Sequence, residues 1–299
     1  MRFVILSYPD VTTPNIASLR RAAAVRGFAL EEWQPHEITI WCDGAAATPL
    51  YQGEAIVPDV ILHRTVARLA GIVAPALQLW RDRGVTILND PFCAVIARDK
   101  LATVLALGAA GVPFVSTLGF FPFDGVDLRR CGTGPVILKP AHGLQGHSVS
   151  FFDSADQAEK SVIGRLVVND MNFVSEHLVG QPVVGFVGKD IRAYVVGGRC
   201  LGIMARSSVS PAEWRANLAL GGKAIPLPIT HPAGDLAVQA TSAVRLDYAG
   251  VDILEDGSGN FVVLEVDAWA GFAGLEESVG VDVAGAILEL AISRAGCPG

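Results

Sequence analysis

The sequence predicts a mixed α/β and α+β protein that begins with a parallel-sheet domain. Residues 1–90 alternate short apolar runs with helix-like runs, and this alternation is typical of βαβ units. After residue 99, apolar runs follow one another through connections rich in Gly, Pro and Asp, a pattern typical of antiparallel sheets with a few helices. At 299 residues, the chain is long enough for two domains or three small ones.

Five elements are predicted in the N-terminal part. In chain order they are a strand at RFVILSY, a helix at SLRRAAAVRGF, a strand at VPDVILHR, a helix at IVAPALQLWRDRG and a strand at VTILND. Gly27 and Gly84 follow the two helical runs, where glycine commonly ends a helix. Residues 43–54 are small and turn-rich, so we expect a loop there.

The later elements begin with residues 101–123, which carry no charge. Glycines and Pro113 divide this run into a helix at 101–110 and a strand at 114–121, so it is not a membrane span. Further strands are predicted at PVILK, at VSFF, and around 192–206 and 250–267. A final helix is predicted from apolar residues that recur along one face of a 3.6-residue period: Val279, Val283, Ile287 and Leu290.

Composition excludes several classes of protein. With 51% hydrophobic residues, 18% charged residues and a net charge of −7, the chain is unlike a disordered protein, a coiled coil or a basic nucleic-acid binder. The apolar run before Ser7 and Pro9 is too short for a signal peptide. The five cysteines lack zinc-type spacing, so we expect free thiols and a cytoplasmic location.

A glycine-rich segment follows Lys139, between two predicted strands. It lacks the GxxxxGK[ST] and GxGxxG patterns of the Walker and Rossmann loops. A glycine hairpin can still lay its N–H groups over phosphates beside a lysine; the alternative is a surface hairpin with a solvated lysine. The chain has five lysines against eighteen arginines, which favours a role for Lys139. His142 and His147 flank the loop, and histidines five apart fit no metal template.

Residues 248–267 give the strongest signal for a metal site, because two apolar runs flank the turn sequence Asp-Gly-Ser-Gly-Asn. A turn centred between Ser258 and Gly259 places Asp252 opposite Glu265, with Asp267 two positions along on the same face. The rest of that face is expected to be apolar: Leu254, Phe261 and Val263. Clustered carboxylates repel one another unless a cation neutralises them, and hard oxygen ligands suit Mg²⁺. The alternative is a charged edge strand with the register off by one residue.

Short motifs recur along the chain in a defined order: NDP at 89–91, DK at 99–100, GVP at 111–113, VILK at 136–139, GLQG at 143–146, SEH at 175–177, GKDIR at 188–192, WRAN at 214–217, GVD at 250–252 and LEVD at 264–267. Taken together they resemble the ATP-grasp fold, and GKDIR, WRANLALGG and the GVDVAG helix resemble its RimK-type amino-acid ligase branch. The resemblance spans residues 85–292 and implies a two-lobed ATP-grasp fold. Residues 1–90 fit only as the generic N-terminal α/β domain of the family.

The resemblance also implies how the cofactors, ATP and Mg²⁺, would be held. The implied ATP contacts are Lys100 and Lys139 at the phosphates, Gly143, Gly146 and His147 in the closing loop, Glu176 and His177 at the adenine strand, Asp190 at the ribose, and Arg215, Ala216 and Asn217 beside the phosphates. The implied ligands of one or two Mg²⁺ ions, with Mn²⁺ as a compatible substitute, are Asp252, Glu265 and Asp267. Arg192 and Arg206 are the catalytic candidates for the γ-phosphate and acyl phosphate, and Arg64 for a substrate carboxylate.

The activity implied by the resemblance is that of an ATP-dependent carbon–nitrogen ligase, which activates a carboxylate as an acyl phosphate and couples it to an amino acid, with glutamate expected. The acidic net charge disfavours an RNA-bound target. We therefore expect a small-molecule carboxylate acceptor, such as a tetrahydromethanopterin-type cofactor precursor, no nucleic-acid or membrane partner, and a homo-oligomer. The alternatives are a RimK-like modifier of a protein C-terminus or carrier protein, and an ATP-binding scaffold or regulator with weakened catalysis.

Three domains are expected: an N-terminal α/β domain at 1–90, a small lobe with the glycine loop at 91–175, and a C-terminal lobe with the Mg²⁺ site at 176–299. One segment departs from the family pattern, which usually reads Glu-Val-Asn followed two residues later by Pro-Gly. Here Asp267 replaces the asparagine and Ala270 replaces the proline, with Trp269 between them. These changes lie near the expected acceptor side and set it apart from the family pattern.

Overall fold

The N-terminal part is built on a four-stranded parallel sheet. The computed structural model describes residues 1–7, 13–64, 70–123, 125–142, 149–168, 177–185, 187–208 and 222–296. The N-terminal elements are β1 (Phe3–Leu6), α1 (Pro14–Val25), β2 (Leu30–Trp33), β3 (Ile38–Cys42), β4 (Ala47–Tyr51), β5 (Val60–His63), α2 (Ala70–Arg81) and β6 (Thr86–Leu88). The parallel sheet has the order β2-β1-β5-β6, so the predicted βαβ arrangement is confirmed.

The loop predicted at residues 43–54 is partly wrong, because β4 pairs with β3 in an antiparallel hairpin. The small residues of this segment conceal the strand in the sequence. Tyr51, at the end of β4, stacks on Trp33 with ring centroids 4.2 Å apart, and its hydroxyl donates to Glu37 Oε2 at 2.6 Å. These long-range contacts hold the hairpin against the parallel sheet.

A second, antiparallel sheet follows two helices that each begin with an aspartate cap. The elements are α3 (Pro91–Arg98), α4 (Lys100–Ala109), β7 (Leu118–Phe120), β8 (Val136–Pro140), β9 (Ser150–Phe152), α5 (Ala155–Val167) and β10 (Leu178–Pro182). Asp90 and Asp99 accept hydrogen bonds from the first N–H groups of α3 and α4. The sheet has the order β7-β10-β8-β9, so this small sheet extends beyond the expected domain limit at residue 175.

The C-terminal part is built on a five-stranded antiparallel sheet of order β13-β12-β11-β14-β15. Its elements are β11 (Lys189–Val196), β12 (Arg199–Ser207), β13 (Lys223–Leu227), α6 (Ala233–Ala243), β14 (Tyr248–Glu255), β15 (Phe261–Asp267), α7 (Ala273–Val279) and α8 (Val283–Ala295). The predicted final helix is confirmed as α8, but the placement of Val279 in it is wrong, because Gly280 adopts a φ of 78° and ends α7 after Val279. Asp282 then caps α8 by accepting from Gly285 N at 2.7 Å.

The β14–β15 hairpin confirms the central register prediction, because Asp252 pairs directly with Glu265. The register then shifts, and Ile253 pairs with Val263, so Leu264 is the extra residue of a β-bulge. The expectation that Phe261 and Val263 share the carboxylate face is therefore wrong. Both pack with Ile253 against the α6 side of the sheet.

Buried residues form separate cores that relate these parts to one another. One core joins the N-terminal sheet to the C-terminal sheet and α8, and it includes Phe3, Leu62, Tyr194, Tyr248 and Phe272. The small antiparallel sheet has its own core with α5. Among the described helices, none is long and apolar enough to cross a membrane.

Candidate active site

The five-stranded sheet has one apolar face and a second face that is part apolar and part charged. Alternate residues of β11 and β14 point to opposite sides, and the set that includes Ile191, Val251 and Ile253 packs on α6. On the other face, Tyr194 and Tyr248 enter the core shared with the N-terminal sheet. The rest of this second face carries charge on four strands: Asp190 and Arg192 on β11, Arg206 on β12, Asp252 on β14, and Glu265 and Asp267 on β15.

Two arginines and two aspartates form an ion-pair network on this face. Arg192 holds the carboxylate of Asp252 with its Nε and Nη2 atoms, the latter at 2.9 Å. Arg206 binds both oxygens of Asp190 at 2.7 Å, and its Nη2 lies 2.9 Å from Asp252 Oδ1. Burial alone would raise the pKa of Asp252, but Arg192 and Arg206 outweigh burial and hold it at about 2. The two guanidinium groups are therefore fixed in place before any ligand binds.

Two buried lysines reach the charged face from outside the sheet. Lys100 is the first residue of α4 and Lys139 lies on β8, and each is 8% exposed. Lys100 Nζ lies 3.8 Å from Glu265 Oε1, so the start of α4 is in ionic contact with β15. Burial lowers the pKa of Lys139 to about 8; the charge of Glu265 opposes this shift and that of Lys100 adds to it. Two adjacent buried cations of this kind suit an anionic ligand such as a phosphate chain.

Glu265 and Asp267 have the chemistry of a divalent-cation site. They lie two positions apart on β15, and Asp267 Oδ1 accepts from Trp269 N at 2.8 Å. Burial raises the pKa of Asp267, and the neighbouring Glu265 charge raises it further. A cation beside the pair would relieve both effects, so these two carboxylates fit Mg²⁺. Asp252 lies opposite Glu265, but Arg192 and Arg206 already bind its oxygens.

Arg64 lies away from this network, after β5, against the loop that follows β15. Its Nη2 donates to the carbonyl oxygens of Trp269 and Ala270 at 3.0 and 3.1 Å, and its guanidinium lies 5.3 Å from the ring centre of Phe272. The Arg64 Nη1 and Trp269 Nε1 atoms are buried and have no hydrogen-bond partner in the part of the chain that the structure describes. Two unpaired buried donors make this loop a candidate site for a carboxylate or another acceptor group.

Part of the predicted site lies within the described residues and part outside them. Lys100, Lys139, Asp190, Arg192, Arg206 and the three carboxylates are brought together, as described above. His177 lies just before β10, where it contacts Asp99, the residue that precedes Lys100. The predicted residues that lie outside the described ones are Gly143, Gly146, His147, Glu176, Arg215, Ala216 and Asn217.

Sequence reasoning missed Gly250, which lies opposite Asp267 on the charged face. A Cβ atom at this position would lie 2.4 Å from Ala270 Cβ and 3.0 Å from Arg192 Nη1. Glycine therefore allows Ala270 and the Arg192 side chain to pack closely against β14 at this position. A glycine inside a strand, two residues before an aspartate, was the available signal, since it often marks a close approach.

Comparisons with known proteins give one matching family model and relatives of similar length. The model of the RimK-like ATP-grasp domain matches residues 124–291. A probable alpha-L-glutamate ligase of Serratia proteamaculans is 30% identical over 100% of this chain and 98% of its own length. A ribosomal protein bS6–L-glutamate ligase of Salmonella paratyphi B is 30% identical over 97% of this chain and 95% of its own length.

Solved structures show the same fold. The ATP-grasp ligase PsnB, complexed with a phosphomimetic variant of its minimal precursor, Mg and ADP, has a TM-score of 0.72 and 21% identity, covering 98% of each chain. The D-alanine–D-alanine ligase of Bacillus anthracis, complexed with ATP, has a TM-score of 0.68 and 15% identity, covering 99% of this chain and 97% of that one.

Proposed function

Because the chain belongs to the RimK-like ATP-grasp family of ATP-dependent carbon–nitrogen ligases, we propose that it joins glutamate to the carboxylate of an acceptor through an acyl phosphate. One observation carries the proposal. Lys100 and Lys139 meet the charged face of the five-stranded sheet, where Glu265 lies 3.8 Å from Lys100 Nζ. Buried cations facing carboxylates are the arrangement that phosphoryl transfer with a divalent ion requires.

ATP and Mg²⁺ would bind where these groups meet. Lys100 and Lys139 would contact the phosphates, while Glu265 and Asp267 would hold Mg²⁺, which neutralises charge on the phosphate oxygens when it is bound. Asp252 stays in the proposed metal set because it lies opposite Glu265. Its partners, Arg192 and Arg206, would contact the phosphates from the positions in which Asp190 and Asp252 hold them.

Arg192 and Arg206 supply the preorganised positive charge for transfer. An oxygen of the substrate carboxylate attacks the γ-phosphorus, the bond to the ADP oxygen breaks, and an acyl phosphate forms. The amine then attacks the carbonyl carbon, loses a proton, and expels phosphate to leave an amide. Both steps place negative charge on phosphoryl or carbonyl oxygens, which planar guanidinium groups fixed beforehand by Asp190 and Asp252 can stabilise.

The acceptor end of the site is proposed at Arg64 and Trp269. Their unpaired donors, Arg64 Nη1 and Trp269 Nε1, would bind a substrate carboxylate, because leaving such groups buried and unpaired is costly. A peptide or protein carboxylate is a second candidate acceptor beside a small molecule. It is supported by the relative named for ribosomal protein bS6 and by a structure of PsnB complexed with its precursor peptide PsnA2.

The direct test measures ADP release with ATP, Mg²⁺, glutamate and a panel of small carboxylates and glutamate-ending peptides, followed by mass spectrometry of the products. Glu265→Gln should lower kcat/KM by about 100-fold or more, because it removes charge from the proposed metal site. Glu255→Gln is the matched control, since Glu255 is an exposed residue at the far end of the same hairpin.

The results of this assay distinguish a ligase from an ATP-binding scaffold or regulator. Acceptor-dependent ADP release with a mass increase of one glutamate supports the ligase, and the active member of the panel identifies the acceptor class. ATP binding without any acceptor-dependent turnover across the panel would instead support the ATP-binding scaffold or regulator. Arg64→Gln should raise KM for the acceptor and leave the Kd for ATP unchanged; an unchanged acceptor KM would exclude Arg64 from acceptor binding.

A further inference from the structure

Three residues outside the charged face bring a carboxylate and two imidazoles together. Asp99 precedes α4, His142 follows β8, and His177 precedes β10. His177 Nε2 lies 3.1 Å from Asp99 Oδ2, and His142 Nε2 lies 3.5 Å from the same oxygen. The three potential ligand atoms all lie within 4.8 Å of one another, and the two imidazole rings are nearly perpendicular with centroids 5.1 Å apart.

Main-chain hydrogen bonds hold these three segments in register. The N–H of Lys100 donates to the carbonyl of Ala141 at 3.1 Å, and the N–H of Ala141 donates to the carbonyl of His177 at 3.1 Å. Asp99 Oδ1 accepts from the N–H groups of Leu101 and Ala102 at 2.8 and 3.0 Å, so it serves as the cap of α4. Only Oδ2 is left to face the histidines, and the carboxylate is oriented by backbone rather than by solvent.

We propose that Asp99, His142 and His177 form a binding site for a divalent transition-metal ion such as Zn²⁺, separate from the Mg²⁺ site at Glu265 and Asp267. Two imidazoles and one carboxylate suit Zn²⁺ and its neighbours, whereas Mg²⁺ prefers oxygen ligands alone. Ligand atoms bound at about 2.0–2.1 Å in tetrahedral geometry lie about 3.3 Å apart, close to the two distances that meet at Asp99 Oδ2.

The exposure of the three side chains and their position beside Lys100 suit such a metal site. The His142 side chain is 45% exposed, so an ion can enter from solvent, while Asp99 and His177 are mostly covered at 20% and 23%. Three protein ligands leave a coordination position for water or an anion. A bound ion would join the start of α4 to the strands β8 and β10, directly beside Lys100, and should therefore stabilise this junction.

The test uses Co²⁺ as a spectroscopic probe on the full chain with saturating Mg²⁺ present, so that the β15 carboxylates are already occupied. One equivalent of Co²⁺ should bind and produce visible d–d absorption without the near-ultraviolet band of cobalt–thiolate bonds. His142→Ala and Asp99→Asn should each weaken binding by about 10-fold or more. His36→Ala is the matched control, because His36 is exposed in a turn of the N-terminal part.

Zn²⁺ thermal shifts provide the second measurement, and neither readout needs ATP or turnover. Zn²⁺ should raise the Tm of the unaltered chain and of His36→Ala, but not that of His142→Ala. Asp99→Asn keeps the helix cap, because asparagine also accepts from the first N–H groups of α4, so a folded variant is expected. Unchanged Co²⁺ affinity in both variants, or no binding beyond the Mg²⁺ site, would overturn the proposal and leave Asp99 as a simple hydrogen-bond partner of the histidines.

Discussion

Lys139 is a buried cation whose protonation depends on its ligand. Burial lowers its pKa to about 8 in the free protein, below the ordinary value of about 10.5 for lysine. A phosphate chain would favour the charged form, so binding ATP would raise this pKa. Below pH 8 the lysine is already charged and affinity should change little. Above pH 8 the free protein must first take up a proton, and ATP affinity should fall by up to about tenfold per pH unit.

Calorimetric titration of ATP at several pH values between 7 and 10 measures this effect. Lys139→Arg provides the control, because arginine stays charged throughout this range and should flatten the profile. A profile that falls equally in the arginine variant would assign the pH dependence to another group.

Asp252 is the shared anion between two buried guanidinium groups. Asp252→Asn would leave Arg192 with an uncompensated charge and weaken the hold on Arg206. Removing one member of a buried ion pair typically costs about 3–5 kcal/mol, so we expect a decrease of that size in the free energy of unfolding, measured by urea denaturation. Glu255→Gln on the same strand should change it by less than about 0.5 kcal/mol. A small effect of Asp252→Asn would mean that Asp190 alone balances both arginines.

For strands and helices, the sequence predicts contacts between neighbouring segments of the chain better than contacts between distant segments. The pairing of Asp252 with Glu265 was predicted correctly, but the turn alone does not set it: the residues next to the turn pair about Ser258, and the bulge at Leu264 brings Glu265 opposite Asp252. The bulge itself could not be predicted, because Val263 exchanges hydrogen bonds with Pro113 and Val115 from a distant segment. The metal-like grouping of Asp99 with His142 and His177 was likewise hidden, because three separate segments supply it.

Asn89 joins the last N-terminal strand to the C-terminal sheet. It is fully buried; its Nδ2 donates to the carbonyls of Tyr248 and Ala268, and its Oδ1 accepts from the N–H groups of Asp247 and Tyr248. Asn89→Ala would leave these backbone groups unpaired, so we expect the free energy of unfolding to fall by about 2–4 kcal/mol.

Urea denaturation of Asn89→Ala tests this role, with Asn260→Ala as the control. Asn260 lies exposed in the β14–β15 turn, where it bonds only to Asp256 among the described residues. A loss no larger than that of the control would show that water replaces the lost hydrogen bonds at Asn89.

In the whole molecule, the buried cores show which sheets pack together, and they do not follow the expected lobe boundaries. The core that includes Phe3, Leu62, Tyr194 and Tyr248 belongs to both the N-terminal and C-terminal sheets, although these residues are far apart in the sequence. Local patterns predicted each sheet separately, but the shared face of Tyr194 and Tyr248 follows from tertiary packing. The small sheet buries its residues mainly against its own helix, α5.

This division predicts two cooperative units in native-state hydrogen exchange. Amides of β1, β5, β11 and β14 should exchange together at the highest free energy, because one continuous core protects them. Amides of β8 and β10 should exchange at a lower free energy, since their sheet has a separate and smaller core. A non-hydrolysable ATP analogue with Mg²⁺ should raise protection in β8 and β10 most, because Lys139 lies on β8 while the opposing carboxylates lie on β15. Exchange of β1 and β5 at a lower free energy than β11 and β14 would show instead that the N-terminal sheet opens independently, despite the core it shares.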